Sequence, residues 1–471
     1  MILAFLLLPS VVIFIVSFLN ITKQKTVLSV VSLLVLIPAI WLFFLPRPYP
    51  ILGPYLVADD LNTYIFLVSS IVAIGVTLAM ATLDKHVSIS LKAYARFYRF
   101  FALFWMGLIV SIMSNNMGLY WIGLETATLS TVYMIKTNQT SFARRESWNY
   151  MIVGAIAISL ILFGIILIYS SAKPILGEEA MNFTKLLQNA KNISSIFLFE
   201  TGFAIVSLGM FIKMGFFPMN LWLANIERSS FYPIAALFSG ILESAVILGF
   251  FRFSHIAKIV NFSHVFVFVF VYALLTIFIV SFLIFRAKDF IRLFSLSGIE
   301  HMALITIFWV SGGIFAALLH FGAHAFLKPA LFLSTGVLES QGQYKIAGAL
   351  RGYRGIKGKL FYFLTSLFLL AIISLPPSPM FFSELFGFSS MIKIAKESHH
   401  LFLMIGSIIL LLFLLLIIFY KFVEIYQSMK YEGEVVEKRV YTPEVYALLL
   451  FAIALVVLIT PMSFAFIGAI S

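Results

Sequence analysis

Fourteen apolar stretches, each close to the length that crosses a lipid bilayer, recur along this 471-residue chain from end to end. A helix rises about 1.5 Å per residue, so roughly 20 apolar residues span the hydrocarbon layer. The stretches lie near 2–19, 27–45, 61–83, 97–115, 117–135, 150–170, 196–216, 234–252, 263–285, 293–311, 314–338, 361–391, 401–423 and 443–467. Within a bilayer no water satisfies the backbone, and runs of this length then fold as helices. The chain therefore reads as an all-α polytopic membrane protein.

Composition agrees. Soluble domains are roughly half apolar and about a quarter charged, whereas this chain is 62% hydrophobic and 11% charged, which excludes a water-soluble enzyme. The first stretch lacks a basic lead-in and an evident cleavage site, so it reads as a retained helix. The longest connections, 171–195 and 424–442, are too short for a soluble domain. Within the first of them, Phe183, Leu186, Leu187 and Ile193 can line one face of a short interfacial helix. The chain has no cysteine. Disulfides, thiolate zinc sites and Cys-ligated iron–sulfur clusters are thereby excluded from it, and any redox centre belongs to another subunit.

The net charge of +12 records topology rather than nucleic-acid binding. Loops on the side opposite the N-terminus hold 22 of the 32 Lys and Arg residues, among them Lys85, Lys92, Arg96, Arg99, Lys345, Arg351, Arg354, Lys357 and Lys359. The N-terminal side holds 8, including Arg47, Lys173 and Lys258. The positive-inside rule then puts both termini outside the cell membrane of a prokaryote.

The informative residues are the few charges left inside the apolar stretches. An ionisable group at the bilayer centre costs roughly 2.5–3.5 kcal/mol on insertion scales, so each needs a reason. Glu125 lies in the fifth stretch, Lys213 in the seventh, Glu243 in the eighth and Glu384 in the twelfth. His320, His324 and Lys328 share one face of the eleventh at spacings of four. Glu200 and Glu300–His301 read as closer to helix ends, where structural or interfacial roles are expected. One buried charge is readily a structural ion pair, but several of both signs suit proton transfer, because a buried lysine changes its hold on a proton when a carboxylate nearby moves. His320 and His324 have the spacing of zinc ligands. Two ligands without cysteine make a poor metal site, so a hydrogen-bonded relay feeding Lys328 is the better reading, and no bound metal is expected.

Prolines accompany the charges. Pro218 follows Lys213, Pro329 follows Lys328, and Pro376, Pro377 and Pro379 precede Glu384. Each frees backbone acceptors within a helix. Broken helices beside buried charge are typical of ion-translocating folds, so the seventh and twelfth helices are expected to be broken.

These residues resemble the antiporter-like membrane subunits shared by respiratory complex I, multisubunit cation/proton antiporters and membrane-bound NiFe hydrogenases. The resemblance covers roughly 97–390 and rests on Glu125, on Lys213 before FPMNLWL, on HxxxHxxxK at 320–328 and on Glu384. The segments KDFIRLFSLSGIEHMALI, WIGLETATLSTV and SFARRESWNYMI are similar to the hydrogenase-4 and formate hydrogenlyase branch. The resemblance implies two inverted five-helix repeats, at 97–252 and 253–425, preceded by three helices at 1–96 and followed by a loop and last helix at 426–471. It implies Glu125 paired with Lys213, a middle bridge of His320, His324 and Lys328, and Glu384 closing the path, with Glu243 less firmly included. This chain departs from many relatives at Asn225, where Asp is usual, at Asn220, where His is common, and at Glu243–Ser244, in a helix that often carries Lys or His.

The expected function is therefore ion translocation, of protons or sodium, by a chain without its own redox centre or cofactor. The resemblance places a NiFe centre and iron–sulfur clusters in a peripheral arm, with further membrane subunits as neighbours. Two alternatives stay open: a cation/proton antiporter subunit without redox partners, and a quinone-linked complex I subunit.

Overall fold

The computed structural model of the chain describes residues 2–19, 24–340, 353, 355–397, 401–431 and 440–470. Lys345, Arg351 and Arg354, which enter the topology argument, lie outside the described residues, as does 432–439 of the last long connection. Helices α1 (Ile2–Val16) and α2 (Gln24–Phe43) come first. An antiparallel hairpin of β1 (Tyr49–Leu52) and β2 (Leu56–Ala58) follows, with Tyr49 opposite Ala58. Next are α3 (Asp60–Met80), α4 (Leu91–Met113), α5 (Met117–Ile135), α6 (Ser141–Leu176) and α7 (Ile196–Lys213). The short α8 (Leu221–Ser229) leads to α9 (Tyr232–Asn261) and α10 (Ser263–Phe285), which are separated by non-helical backbone at Asn261. The remainder are α11 (Phe290–Val310), α12 (Ile314–Ser340), α13 (Gly355–Ala371), α14 (Pro379–Glu397), α15 (Leu401–Tyr431), α16 (Thr442–Leu458) and α17 (Pro461–Ile470).

Each of the fourteen predicted stretches carries helix, but fewer qualify as membrane spans. Among the described residues ten helices are long and apolar enough, or eleven if α16 and α17, bent by 71°, count as one. Three stretches account for the difference. α1 has only 15 residues. α5 is diluted by Glu125, Thr126, Thr128, Ser130 and Thr131. The twelfth stretch is two helices, α13 and α14, because Pro376 and Pro377 cannot continue the hydrogen-bond ladder. The seventh stretch likewise breaks after Lys213 and resumes as α8.

The chain forms two compact units. The first comprises Met1–Ser70, Ser90–Trp222 and Ile241–Val271. In it α4 packs on α5 and α6 on α7, each pair meeting at glycines. A Cβ on Gly123 would lie 2.5 Å from Ser111 N and 2.7 Å from Gly107 O, so these backbones touch with no room for a side chain. A Cβ on Gly209 would lie 2.6 Å from Ala157 O. Small residues permit this approach between membrane helices, where packing rather than water exclusion drives association. The turn from α4 to α5 is tied down by Asn115, whose amide N–H donates to Tyr55 O at 2.8 Å and whose carbonyl accepts from Phe183 N at 2.8 Å. The expected short helix appears at Phe183–Asn189, with Phe183 and Leu186 buried, Leu187 exposed and Ile193 buried beyond its end.

The second unit comprises Ile71–Ile89, Leu223–Gly240 and Tyr272–Ser471. Its centre is the pair α11 and α12. All residues from Leu293 to Val310 are buried, as are all from Ala316 to Leu338. A helix enclosed on every side needs no polar face, and the polar residues it carries must find partners inside the protein. α15 differs. Ile409, Phe413, Leu416 and Tyr420 form an exposed stripe at helical spacing, as expected of a face turned to lipid. At one edge Thr82 and His86 both bond Glu444, whose other oxygen accepts from Tyr441 N at 2.9 Å and so starts α16.

Candidate functional site

In the first unit the site begins where α7 ends. Gly215 has a φ of +74° and its N–H donates to Ile212 O at 3.1 Å, while Phe216 N–H donates to Phe211 O at 2.9 Å. This left-handed closure is the usual way a helix stops, and glycine takes it at no steric cost. Trp222 then reaches back and donates Nε1–H to Ile212 O at 2.9 Å. Lys213 is left in the last turn, where a cation is favoured by the helix dipole.

The buried Lys213 ammonium donates to Thr128 Oγ1 at 2.6 Å. Thr128 lies one turn beyond Glu125 on α5, and its hydroxyl donates in turn to Leu124 O at 2.7 Å. Lys213 and Glu125 are close enough for charge interaction, yet the lysine's hydrogen bond goes to the threonine. Glu125 Oε2 is buried without a hydrogen-bond partner. Tyr150 completes the patch: its hydroxyl shares a 3.0 Å hydrogen bond with Thr131, and its ring stacks on Trp222 at 5.2 Å. A cavity of about 10 Å³ is lined by Lys213, Tyr150, Trp222 and Glu243 among others, which is on the scale of one water molecule. Glu243 is 4% exposed and follows a π-helical turn at Phe238–Leu242, a distortion that is frequent at functional positions.

In the second unit a chain of imidazoles joins α11, α12 and α14. His301 Nδ1 and His320 Nε2 share a 3.0 Å hydrogen bond, and His320 Nδ1 lies 2.8 Å from Ser383 Oγ. Ser383 Oγ–H donates to Met380 O at 2.7 Å, so its oxygen accepts from His320 Nδ1–H. The neutral His320 then carries no proton on Nε2, and His301 Nδ1–H is the donor to it. Both nitrogens of His320 are thus engaged by protein, which suits a relay rather than a metal ligand. His324 faces His301 with ring centroids 5.8 Å apart, and Lys328 Nζ donates to Phe294 O at 2.7 Å. A Cβ at Gly298 would meet both His324 Nε2 and Lys328 Cε at 3.8 Å, an ordinary contact, which places α11 directly against this face of α12. Pro329 follows, and Gly240 packs against it: a Cβ on Gly240 would lie 2.4 Å from Pro329 Cγ.

Glu384 on α14 accepts from the hydroxyl of Ser374, and Ser374 is held at a φ of +58° in the break before α14. A non-glycine residue in the left-handed region is uncommon and is sustained by its surroundings. Glu300 is close enough to both Glu384 and Lys328 for charge interaction. Both of its carboxylate oxygens are buried without hydrogen-bond partners.

The structure thus gathers Glu125, Lys213 and Glu243 in the first unit. It gathers His320, His324 and Lys328 in the second, with Glu300 within charge-interaction range of both Glu384 and Lys328. One expectation is corrected. Glu300 and His301 lie at the midpoint of α11 rather than near its end, because the helix starts at Phe290 with Asp289 as its N-cap. His301 is a direct neighbour of His320, and the EHM triplet inside an apolar run was its signal. Thr128, Tyr150 and Ser383 are not legible in the sequence as site residues, because threonine, tyrosine and serine are ordinary in such helices. Glu200 pairs with the exposed His264 at 3.1 Å, outside either cluster.

Comparison with known proteins bears on the family and the fold. Residues 114–413 match the family described as NADH:quinone oxidoreductase/Mrp antiporter, transmembrane. The chain is 31% identical over 351 residues to a hydrogenase-4 component F homolog of Methylacidiphilum infernorum, covering 72% of this chain and 73% of that one. It is 24% identical over 425 residues to a putative antiporter subunit mnhA2 of Staphylococcus haemolyticus, covering 85% of this chain but 51%, about half, of that longer relative. Among solved structures it is similar to a chain of the membrane-bound sulfane sulfur reductase, an archaeal respiratory membrane complex. The TM-score is 0.84 at 20% identity, with 99% of this chain and 95% of the other covered.

Proposed function

From the premise that the chain belongs to the NADH:quinone oxidoreductase/Mrp antiporter transmembrane family, we propose that it is an ion-translocating membrane subunit of a complex I-like assembly. The relative named as a hydrogenase-4 component supports an oxidoreductase of the NiFe hydrogenase or formate hydrogenlyase type. Since the chain has no cysteine, a NiFe centre and iron–sulfur clusters then lie in partner subunits of a peripheral arm. The chain sits in a prokaryotic plasma membrane among other membrane subunits, with both termini outside. The translocated ion is a proton or sodium.

The observation that carries the reading is the buried imidazole chain from His301 through His320 to Ser383, beside Lys328. A proton arriving on His301 lets Nδ1–H pass to His320 Nε2, and His320 Nδ1–H pass toward Ser383. The serine hydroxyl must turn away from Met380 O to send a proton on, in the direction of Glu384. In the other unit, electron transfer in the partners changes the charge felt at Glu125 and Lys213. Thr128 holds the ammonium while Glu125 keeps an unbonded oxygen available. The exchange of partners on Lys213 is then the step that couples redox chemistry to ion movement.

The test is Lys213→Ala in the intact complex reconstituted in liposomes. Gradient formation should be lost while electron transfer continues; unchanged pumping would remove Lys213 from the mechanism. The similarity to the putative antiporter subunit supports a second reading, cation/proton exchange without redox partners. Assaying the native assembly for nickel and iron separates the two, and a metal-free complex that exchanges sodium for protons overturns the first.

A further inference from the structure

One buried acid has no part in the path described so far. Glu227, on α8, is 1% exposed, and its carboxylate accepts a hydrogen bond from Ser295 Oγ on α11. The residue before Ser295 is Phe294, whose carbonyl accepts from Lys328 Nζ. Glu227 and Lys328 therefore grip adjacent residues of the same helical turn, and they are close enough for charge interaction. The residue after Glu227 is Arg228, which is 60% exposed and reaches Asp289, the N-cap of α11, at 3.7 Å. Within two consecutive residues α8 thus passes from an exposed edge of the unit to the buried turn of α11 that Lys328 also grips.

A carboxylate buried only to tie α8 to α11 is a poor structural choice. Removing a carboxylate from water costs several kcal/mol, and Asn or Ser would accept the same bond from Ser295. The cost has a use if the group changes its protonation state. On the reading that the chain translocates ions, we propose that Glu227 is the proton-carrying acid that loads Lys328 from the aqueous edge marked by the Arg228–Asp289 pair. A proton taken from water neutralises the carboxylate, and its transfer to a deprotonated Lys328 leaves carboxylate and ammonium charged again. Ser295, bonded to Glu227 and adjacent to the carbonyl held by Lys328, fixes the geometry of the handover. Lys328 then serves the imidazole chain at its other side.

The experiment uses the intact complex in liposomes, with Glu227→Gln, Glu227→Asp and Lys213→Ala as variants. Glu227→Gln keeps an acceptor for Ser295 but carries no proton. Positioned proton transfer contributes about a hundredfold or more. Ion pumping in Glu227→Gln is therefore expected to fall by about that factor with assembly unchanged, and Glu227→Asp to restore a substantial part. A carboxyl band in pH-difference infrared spectra should be present in the parent and absent in Glu227→Gln. Where Glu227→Gln does not assemble, the same band should shift in frequency in Glu227→Asp. Normal pumping in Glu227→Gln, equal loss in both Glu227 variants, or a band that neither removes nor shifts overturns the proposal. Loss in Lys213→Ala beside normal Glu227→Gln sinks this proposal alone, whereas normal pumping in Lys213→Ala strikes the underlying reading.

Discussion

Replacing Gly123 by alanine should damage both stability and transport through one methyl group. The Cβ would stand 2.5 Å from Ser111 N, 2.7 Å from Gly107 O and 2.9 Å from Ser111 Cα, all of them backbone atoms that no rotamer change can move. Ordinary contact begins near 3.4 Å, so α4 and α5 must separate by about 0.9 Å, the difference between that and the closest contact. Overpacking of this kind costs about 1–3 kcal/mol. Glu125 is two residues away and Thr128 five, so the acid and the threonine that holds Lys213 move with the helix. Misplacement by about 1 Å can cost on the order of a hundredfold in a positioned reaction. The assay is thermal unfolding of the purified complex together with ion pumping in liposomes. Gly406→Ala on α15 is the control, because nothing lies within 4 Å of its Cβ, and alanine in a helix is favoured over glycine by roughly 0.5–1 kcal/mol. Gly123→Ala with parental stability and pumping, or Gly406→Ala equally harmful, would refute the close-packing argument.

Two further outcomes follow from the second unit. His301→Leu removes the donor to His320 Nε2 and should cut pumping by about a hundredfold while assembly survives; parental ion flux in that variant would show that the imidazole chain carries nothing. Glu444→Ala removes the buried acceptor shared by His86, Thr82 and the Tyr441 N–H at the start of α16, so it should destabilise the fold by about 3 kcal/mol, read as a lowered Tm with the pumping of folded complex retained.

Much of the site was written in the chain because lipid makes charge expensive. Glu125, Lys213, His320, His324, Lys328 and Glu384 stood out as the titratable residues in a greasy background, and the structure finds them in two clusters. Glu300 and His301 read from the sequence as nearer a helix end than they are, because the start of α11 depends on the Asp289 cap, a local hydrogen bond that hydropathy does not register. Glu227 carries no signal in the sequence, because a polar segment between apolar stretches reads as solvated and only the packing of α8 on α11 buries it. Ten or eleven helices among the described residues pass a length and composition test for spanning, fewer than the fourteen apolar stretches, because prolines and threonines shorten or dilute runs whose overall composition still reads as membrane.

The sequence by itself determined the medium, the helical class and the short roster of buried charges, because transfer into lipid is governed by composition along about 20 residues. Tertiary structure decided the pairings. Which oxygen Lys213 bonds, which nitrogen of His320 accepts, and which acids come within charge-interaction range of Lys328 all depend on contacts 19 to 101 positions apart in the chain, fixed by glycine-lined helix crossings that no local pattern specifies.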